Sequence, residues 1–200
     1  MSFAKHRIGA SRVLVALLLV LIAITGSYWH ANKPVLGDSL VTLGLVLATI
    51  GGIGRLWCNL YIVGYKNAAL LTIGPYSMTR NPLYFFSSIG GVGVGLATGT
   101  FGFAIAIAGL FALTYPSVIL SEEERQRSIH GKAWDDYVAA VPRFFPRFSQ
   151  LTEPADYMAH PLLFRRHLLD AVWFTWAAAL MILISQLREV GIMPNVLTLF

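Results

Sequence analysis

Acids, arginines and aromatic rings gather in two stretches of this chain, and both are equipped to hold a charged ligand. The first is Gly74-Pro75-Tyr76-Ser77-Met78-Thr79-Arg80-Asn81-Pro82-Leu83-Tyr84. Gly-Pro signals a turn, Asn-Pro keeps Asn81 out of helical geometry, and Pro82 suits the first position of a helix. The amides opening that helix, with Arg80 beside them, could take an anion; the plainer use is a helix start with an arginine at lipid headgroups. The second stretch opens with Ser121-Glu122-Glu123-Glu124. Ser121 and Glu124 have capping-box spacing, although the residues before them already read as helix. Three adjacent carboxylates need partners, either a cationic ligand or Arg125, Arg127 and Arg143. Trp134 and Tyr137, three apart, share a helical face and serve either as interfacial anchors or as walls for an adenine or a sulfonium cation. His130, beside Gly131, is either an acid or base or a surface and capping residue. Cys58 is the single cysteine, so neither an internal disulfide nor a paired-cysteine metal site is available.

The elements that must position these groups are membrane helices. Of 200 residues, 56% are hydrophobic and only 12% charged, about half the charged share of a soluble domain, and the mean hydropathy is +0.64. A soluble enzyme and a disordered chain are both excluded. Five apolar runs approach the roughly 20 residues needed to cross a bilayer: Val13 to Tyr28, Val35 to Ile53, Leu83 to Thr98, Phe101 to Leu120 and Leu168 to Leu187. Backbone polar groups in lipid must pair internally, so each is read as a helix. Lys5, Arg7 and Arg12 before the first run would also suit a signal peptide, but no clean small-x-small cleavage site follows.

Placing the N-terminus inside puts 13 of the 15 Lys and Arg residues on cytoplasmic segments, leaving Lys33 and Arg188 outside. That asymmetry predicts five spans, a cytoplasmic N-terminus and an external C-terminus. The expected fold is all-α and polytopic, with a cytoplasmic catalytic segment between helices 4 and 5. It forms one membrane domain over 1–200: N-terminal helices over 12–54, a core over 55–150 and a C-terminal extension over 151–200. Gly91, Gly95 and Gly99, with Gly90 and Gly93 beside them, predict close helix packing or a slot for a flat ligand. They are not a dinucleotide fingerprint, since no strand precedes them and the spacing is absent.

The motif G-P-Y-x-x-x-R-N-P-x-Y before an apolar run, a glycine-rich hairpin, an acidic pair and then G-x-x-W-x-x-Y-x-x-x-V-P-R-F-x-P resemble the isoprenylcysteine carboxyl methyltransferase family. Phospholipid N-methyltransferases share the pattern. The likeness covers about residues 52 to 146. It implies S-adenosyl-L-methionine as cofactor, with Arg80, Glu123 and Arg143 as catalytic residues. The implied cofactor-binding set is Tyr76, Arg80, Asn81, Pro82, Tyr84, Glu122, Glu123, Trp134 and Tyr137. No metal is implied. Asn81 stands where the family usually has His, and Trp134 where Tyr is common.

The resemblance implies methyl transfer to a lipophilic acceptor at the cytoplasmic face of a bacterial inner membrane, foremost carboxyl O-methylation of an isoprenyl-type or related lipid-like substrate. Alternatives are a phospholipid N-methyltransferase, a membrane reductase using a nicotinamide, and a non-enzymatic scaffold or transporter. The expected partners are the lipid bilayer and a lipophilic small-molecule or prenylated substrate, with no nucleic acid.

Overall fold

A computed structural model describes residue 17, residues 19–65 and residues 68–200, without the side chains of residues 170 and 171. The start of the first expected span, with Lys5, Arg7 and Arg12, therefore lies outside the described residues, as does Lys66. Residues 19–24 are helical, but the chain then leaves helix for strand β1 (Thr25–Ser27), which pairs in parallel with β2 (Leu197–Leu199). The span expected to reach Tyr28 thus stops short of it. A glycine next to a β-branched threonine has little helix preference, and a partner strand is at hand.

Ser27 caps the short helix α1 (Tyr28–Asn32), its hydroxyl accepting from the His30 amide at 3.2 Å. Pro34 then opens α2 (Pro34–Ile62), which runs nine residues beyond the expected end at Ile53. Nothing between Arg55 and Ile62 breaks a helix, so Arg55 lies within α2 and not in a loop. Gly74, at φ +57°, ends the connection that follows, and Pro75 starts a single helical turn, α3 (Pro75–Met78). Asn81 is non-helical, at φ −126° and ψ 52°, and Pro82 opens α4 (Pro82–Leu96), as the Asn-Pro step predicts. Gly99, at φ +75°, turns the chain into α5 (Phe101–His130), whose N-cap is Thr100.

Ser121 donates to the Val118 carbonyl at 2.8 Å inside α5, so no new helix begins at the acids and the capping-box reading fails. Gly131, at φ +53°, ends α5, and α6 (Lys132–Ala140) follows. The chain returns through a 3-10 turn at Phe148–Gln150 to α7 (Pro161–Glu189), which starts seven residues before the expected Leu168.

Among the described residues three helices, α2, α5 and α7, are long and apolar enough to cross a membrane; α4 is apolar but only 15 residues long. Yet α4 is central, packing against α2, α5 and α7. A Cβ on Gly93 would lie 2.3 Å from the Ala48 amide nitrogen of α2, and one on Gly95 would lie 2.6 Å from Ala104 Cα of α5. The glycines therefore serve helix contact, and neighbouring backbone leaves no ligand slot there. Outward faces are apolar: Ile105 and Leu113 on α5 and Leu169, Trp173 and Trp176 on α7 are strongly exposed, as lipid contact requires.

One length difference creates the site. Both helices of the α4–α5 hairpin leave the Gly99 turn together, but α4 rises about 22 Å and α5 about 45 Å. Tyr84 near the start of α4 meets Tyr115 of α5, ring centroids 4.9 Å apart. Beyond that level α5 continues without α4 beside it, leaving a recess flanked by α2 and roofed by residues 69–81 and α6.

Candidate functional site

Glu123, on the stretch of α5 that overshoots α4, is the hub of the recess. Its carboxylate meets Arg80 Nη1 at 3.1 Å and Arg143 Nη2 at 3.1 Å, with Arg143 Nε also within 3.1 Å. Asn81 Nδ2 donates to the Arg143 carbonyl at 2.9 Å and reaches Glu123 Oε1 at 3.4 Å. The Arg80 and Glu123 side chains are 8% and 11% exposed, whereas Arg143 is 54% exposed, so the Arg80 pair is the one shielded from water. Burial lowers the Arg80 pKa and the Glu123 charge opposes that shift.

Backbone bonds hold the two motifs together. The Arg80 amide donates to the Pro142 carbonyl at 2.9 Å, and the Arg147 amide to the Met78 carbonyl at 3.0 Å. The Thr79 hydroxyl, fully buried, donates to the Phe144 carbonyl at 3.0 Å. Tyr137 of α6 donates its hydroxyl to the Tyr76 carbonyl at 2.7 Å. Tyr76 and Tyr137 are both buried, and burial pushes both phenols above their ordinary pKa, Tyr76 most strongly. Each therefore remains a neutral hydroxyl at physiological pH.

These groups line a cavity of about 330 Å³, at the small end of the roughly 300–1,000 Å³ range of ligand clefts. Tyr76, Arg80, Asn81, Pro82, Tyr84, Glu122, Glu123, Trp134 and Tyr137 all border it, so every expected cofactor-binding residue comes to one place. Arg143 does not border it and touches the site through Glu123. Internal pairing thus accounts for Glu123, while Glu122 faces the cavity and makes no ion pair among the described residues. Trp134 and Tyr137 pack at a centroid distance of 5.5 Å as inner walls, not as exposed interfacial anchors. His130 closes the end of α5 and does not border the cavity.

Three buried groups on the lining are unsatisfied: the Tyr76 hydroxyl, Arg80 Nε and Arg55 Nε have no hydrogen-bond partner among the described residues. Buried polar atoms are seldom left so, and all three suit a ligand that accepts hydrogen bonds. Three polar lining residues, Arg55, Ser87 and Tyr115, lie outside the two motifs. Tyr115 precedes Glu122 by seven residues, two helical turns on one face, which is a signal the sequence carries. Arg55 is legible only as a charge embedded in an apolar helix.

Among known proteins, the chain is 41% identical over 170 residues to the nickel-cobalt-cadmium resistance protein NccN of Alcaligenes xylosoxydans xylosoxydans, covering 85% of this chain and 78% of that protein. It is 34% identical over 195 residues to the cobalt-zinc-cadmium resistance protein CzcN of Cupriavidus metallidurans, covering 98% and 89%. No solved structure matches it. Residues 32–133 match the family model described as phospholipid methyltransferase, a span that takes in α2, the arginine motif, the glycine-rich hairpin and the acids. The chain therefore belongs to the phospholipid methyltransferase family, which includes the isoprenylcysteine carboxyl methyltransferase-like proteins.

Proposed function

We propose that this protein transfers a methyl group from S-adenosyl-L-methionine to a lipophilic acceptor at the cytoplasmic face of the bacterial inner membrane. Five helices cross the bilayer in this reading, with the N-terminus in the cytoplasm and the C-terminus outside. The observation that carries it is the meeting of Arg80, Asn81 and Arg143 on Glu123 at a cavity that Glu122 also lines.

The bound donor supplies a methyl group activated on a sulfonium. The lining fits such a molecule: Glu122 suits an ammonium or ribose hydroxyls, and Trp134, Tyr137 and Tyr84 offer ring faces to a cation. Arg80 Nε has a hydrogen bond left to give to a carboxylate or ring acceptor. Glu123 fixes Arg80 and Arg143 and so ties the two motifs into one wall. Holding nucleophile, methyl and sulfur in line contributes about 7 to 11 kcal/mol to such displacements.

Carboxyl O-methylation of an isoprenyl-type or related lipid is the favoured reaction. A carboxylate attacks without prior deprotonation, whereas an amine needs a base. Glu123 is already engaged by the Arg80 and Arg143 guanidinium groups. The two relatives are named for resistance to divalent metals. For this chain we take that as the setting, with the methylated product contributing to tolerance. Among the described residues no group of three or more His, Cys, Asp or Glu side chains is placed to hold a metal ion.

Two measurements test the reading. Calorimetry on the purified protein in neutral detergent should show saturable S-adenosylhomocysteine binding, and labelled methyl should pass from the donor into a lipid extract of the native cell. Binding of NADPH in its place, with no methyl transfer, would overturn the proposal in favour of a reductase.

A further inference from the structure

The cavity has a second charged end that the methyl-transfer reading leaves unused. Arg55 of α2 reaches across to α4, where one guanidinium nitrogen donates to the Ser87 hydroxyl, and its charge lies over the Phe174 ring of α7, 5.8 Å from the centroid. Ser87 in turn donates to the Leu83 carbonyl at 2.6 Å, so its oxygen is oriented to accept from Arg55. Arg55 Nε is buried with no partner, and among the described residues Arg55 makes no ion pair. Nearby, the Tyr76 hydroxyl is unpartnered as well, on a side chain only 7% exposed. Arg55, Ser87, Tyr115 and Tyr76 all border the cavity.

An arginine inside an apolar helix with no carboxylate against it is costly unless an anion joins it. Arg80, the other arginine deep in this wall, is already matched by Glu123. Depth separates Arg55 from the acids. Gly54 abuts the Phe86 ring, which places Arg55 level with Ser87 and below the start of α4. Glu122 lies seven residues past Tyr115 on α5, about 10 Å further toward the cytoplasm. The ammonium and carboxylate of one amino-acid head sit on the same carbon, so a donor whose ammonium sits at Glu122 keeps its carboxylate at that end of the cavity. A separate anion belongs at the deep end, and Leu83, one turn from Ser87 on α4, offers apolar contact beside it.

We infer that Arg55, Ser87 and Tyr76 form a binding site for the anionic group of an amphiphile, a carboxylate or phosphate on an apolar chain, which enters the cavity from the bilayer side. The inference rests on the methyl-transfer reading only in calling that amphiphile the acceptor. Arg55 then selects acidic acceptors over neutral ones of the same chain length, and its planar fork fits either oxyanion.

The test uses the full chain in neutral maltoside detergent with dodecanoate, dodecyl phosphate and dodecanol as probes, each below its micellar concentration. At least one anionic probe should bind tenfold or more tighter than dodecanol. Arg55→Gln should remove that preference while leaving S-adenosylhomocysteine affinity within about twofold, and Arg55→Lys should keep part of it. Preference for dodecanoate identifies a carboxylic acid acceptor, and preference for dodecyl phosphate identifies a phosphorylated one; both support the site. Equal binding of neutral and anionic probes to the unaltered protein overturns it, whether or not the variants fold. So does an undiminished preference in Arg55→Gln, or a parallel loss of S-adenosylhomocysteine binding in that variant. If S-adenosylhomocysteine fails to bind at all while the Arg55-dependent preference persists, the donor reading falls and the anion site stands.

Discussion

Glu122 and Glu123 are neighbours in sequence with different work, because one helical step turns them about 100° apart. Glu123 is locked between Arg80 and Arg143 and holds the wall; Glu122 looks into the cavity. Removing one partner of a buried ion pair costs about 3 to 5 kcal/mol. Glu123→Gln should therefore lower the melting temperature by about 10 °C, at roughly 2–4 °C per kcal/mol for a chain of this size, and lose ligand binding as a consequence. Glu122→Gln should keep its melting temperature within about 2 °C yet bind S-adenosylhomocysteine at least tenfold more weakly, a loss of about 1.4 kcal/mol. Thermal unfolding and calorimetry on both variants check the assignment; equal effects on both quantities would show that the two carboxylates share one role. Residue types and spacing made both acids legible as candidates. Which one pairs internally was not legible, because that depends on the phase of a helix relative to a loop some 40 residues away. Asn81 illustrates the same limit: its amide ties Glu123 to the Arg143 carbonyl, a job visible only once the two motifs meet.

Hydropathy and breaker residues fix where helices lie more reliably than where they stop. Pro82 and Phe101 begin α4 and α5 where the sequence predicts, because Asn-Pro and Gly-Thr are strong local punctuation. The ends of α2 and α5 run past the predicted limits because charge alone does not stop a helix, and Arg55 and Glu122–Glu124 simply ride on it. The segment after Pro146 was invisible to motif reasoning, yet it packs against α2 and the first motif. Thr152 pairs with Gly74, its amide donating to the Ser77 hydroxyl at 3.0 Å. Glu153 accepts from Trp57 Nε1 at 3.1 Å and from the Tyr61 hydroxyl at 3.2 Å. Tyr157 donates to the Tyr61 carbonyl at 2.6 Å, and Ala178 and Met181 of α7 join the core around Ala48 and Ala97. A chain ending at Pro146 should accordingly fail to yield a monodisperse protein in detergent, and S-adenosylhomocysteine binding should be lost with it. A well-behaved truncated protein that still bound this ligand would mark α7 as dispensable.

At the scale of the whole molecule, the chain is closed at the end opposite the site. Strands β1 and β2 pair there, and Arg188 donates to the Ile22 carbonyl at 2.8 Å, so the N-terminal and C-terminal segments brace each other while the recess end stays open to ligands. A mostly helical architecture with helices able to cross a membrane was legible from composition, because so little charge leaves no other solvent for the surface. The small sheet was not, since three-residue strands far apart in sequence leave no periodic trace. The short central helix has a further consequence. A floor roughly 22 Å above the turn sets the depth at which the proposed acceptor and donor would meet, independently of the lipids around it. Hydrophobic mismatch then becomes a control on turnover: a thick bilayer would drown the acids in acyl chains, and a thin one would lift Arg55 into headgroups. In vesicles whose acyl chains are lengthened stepwise, methyl transfer should pass through a maximum; a flat profile would mean that the annulus adapts to the protein at no catalytic cost.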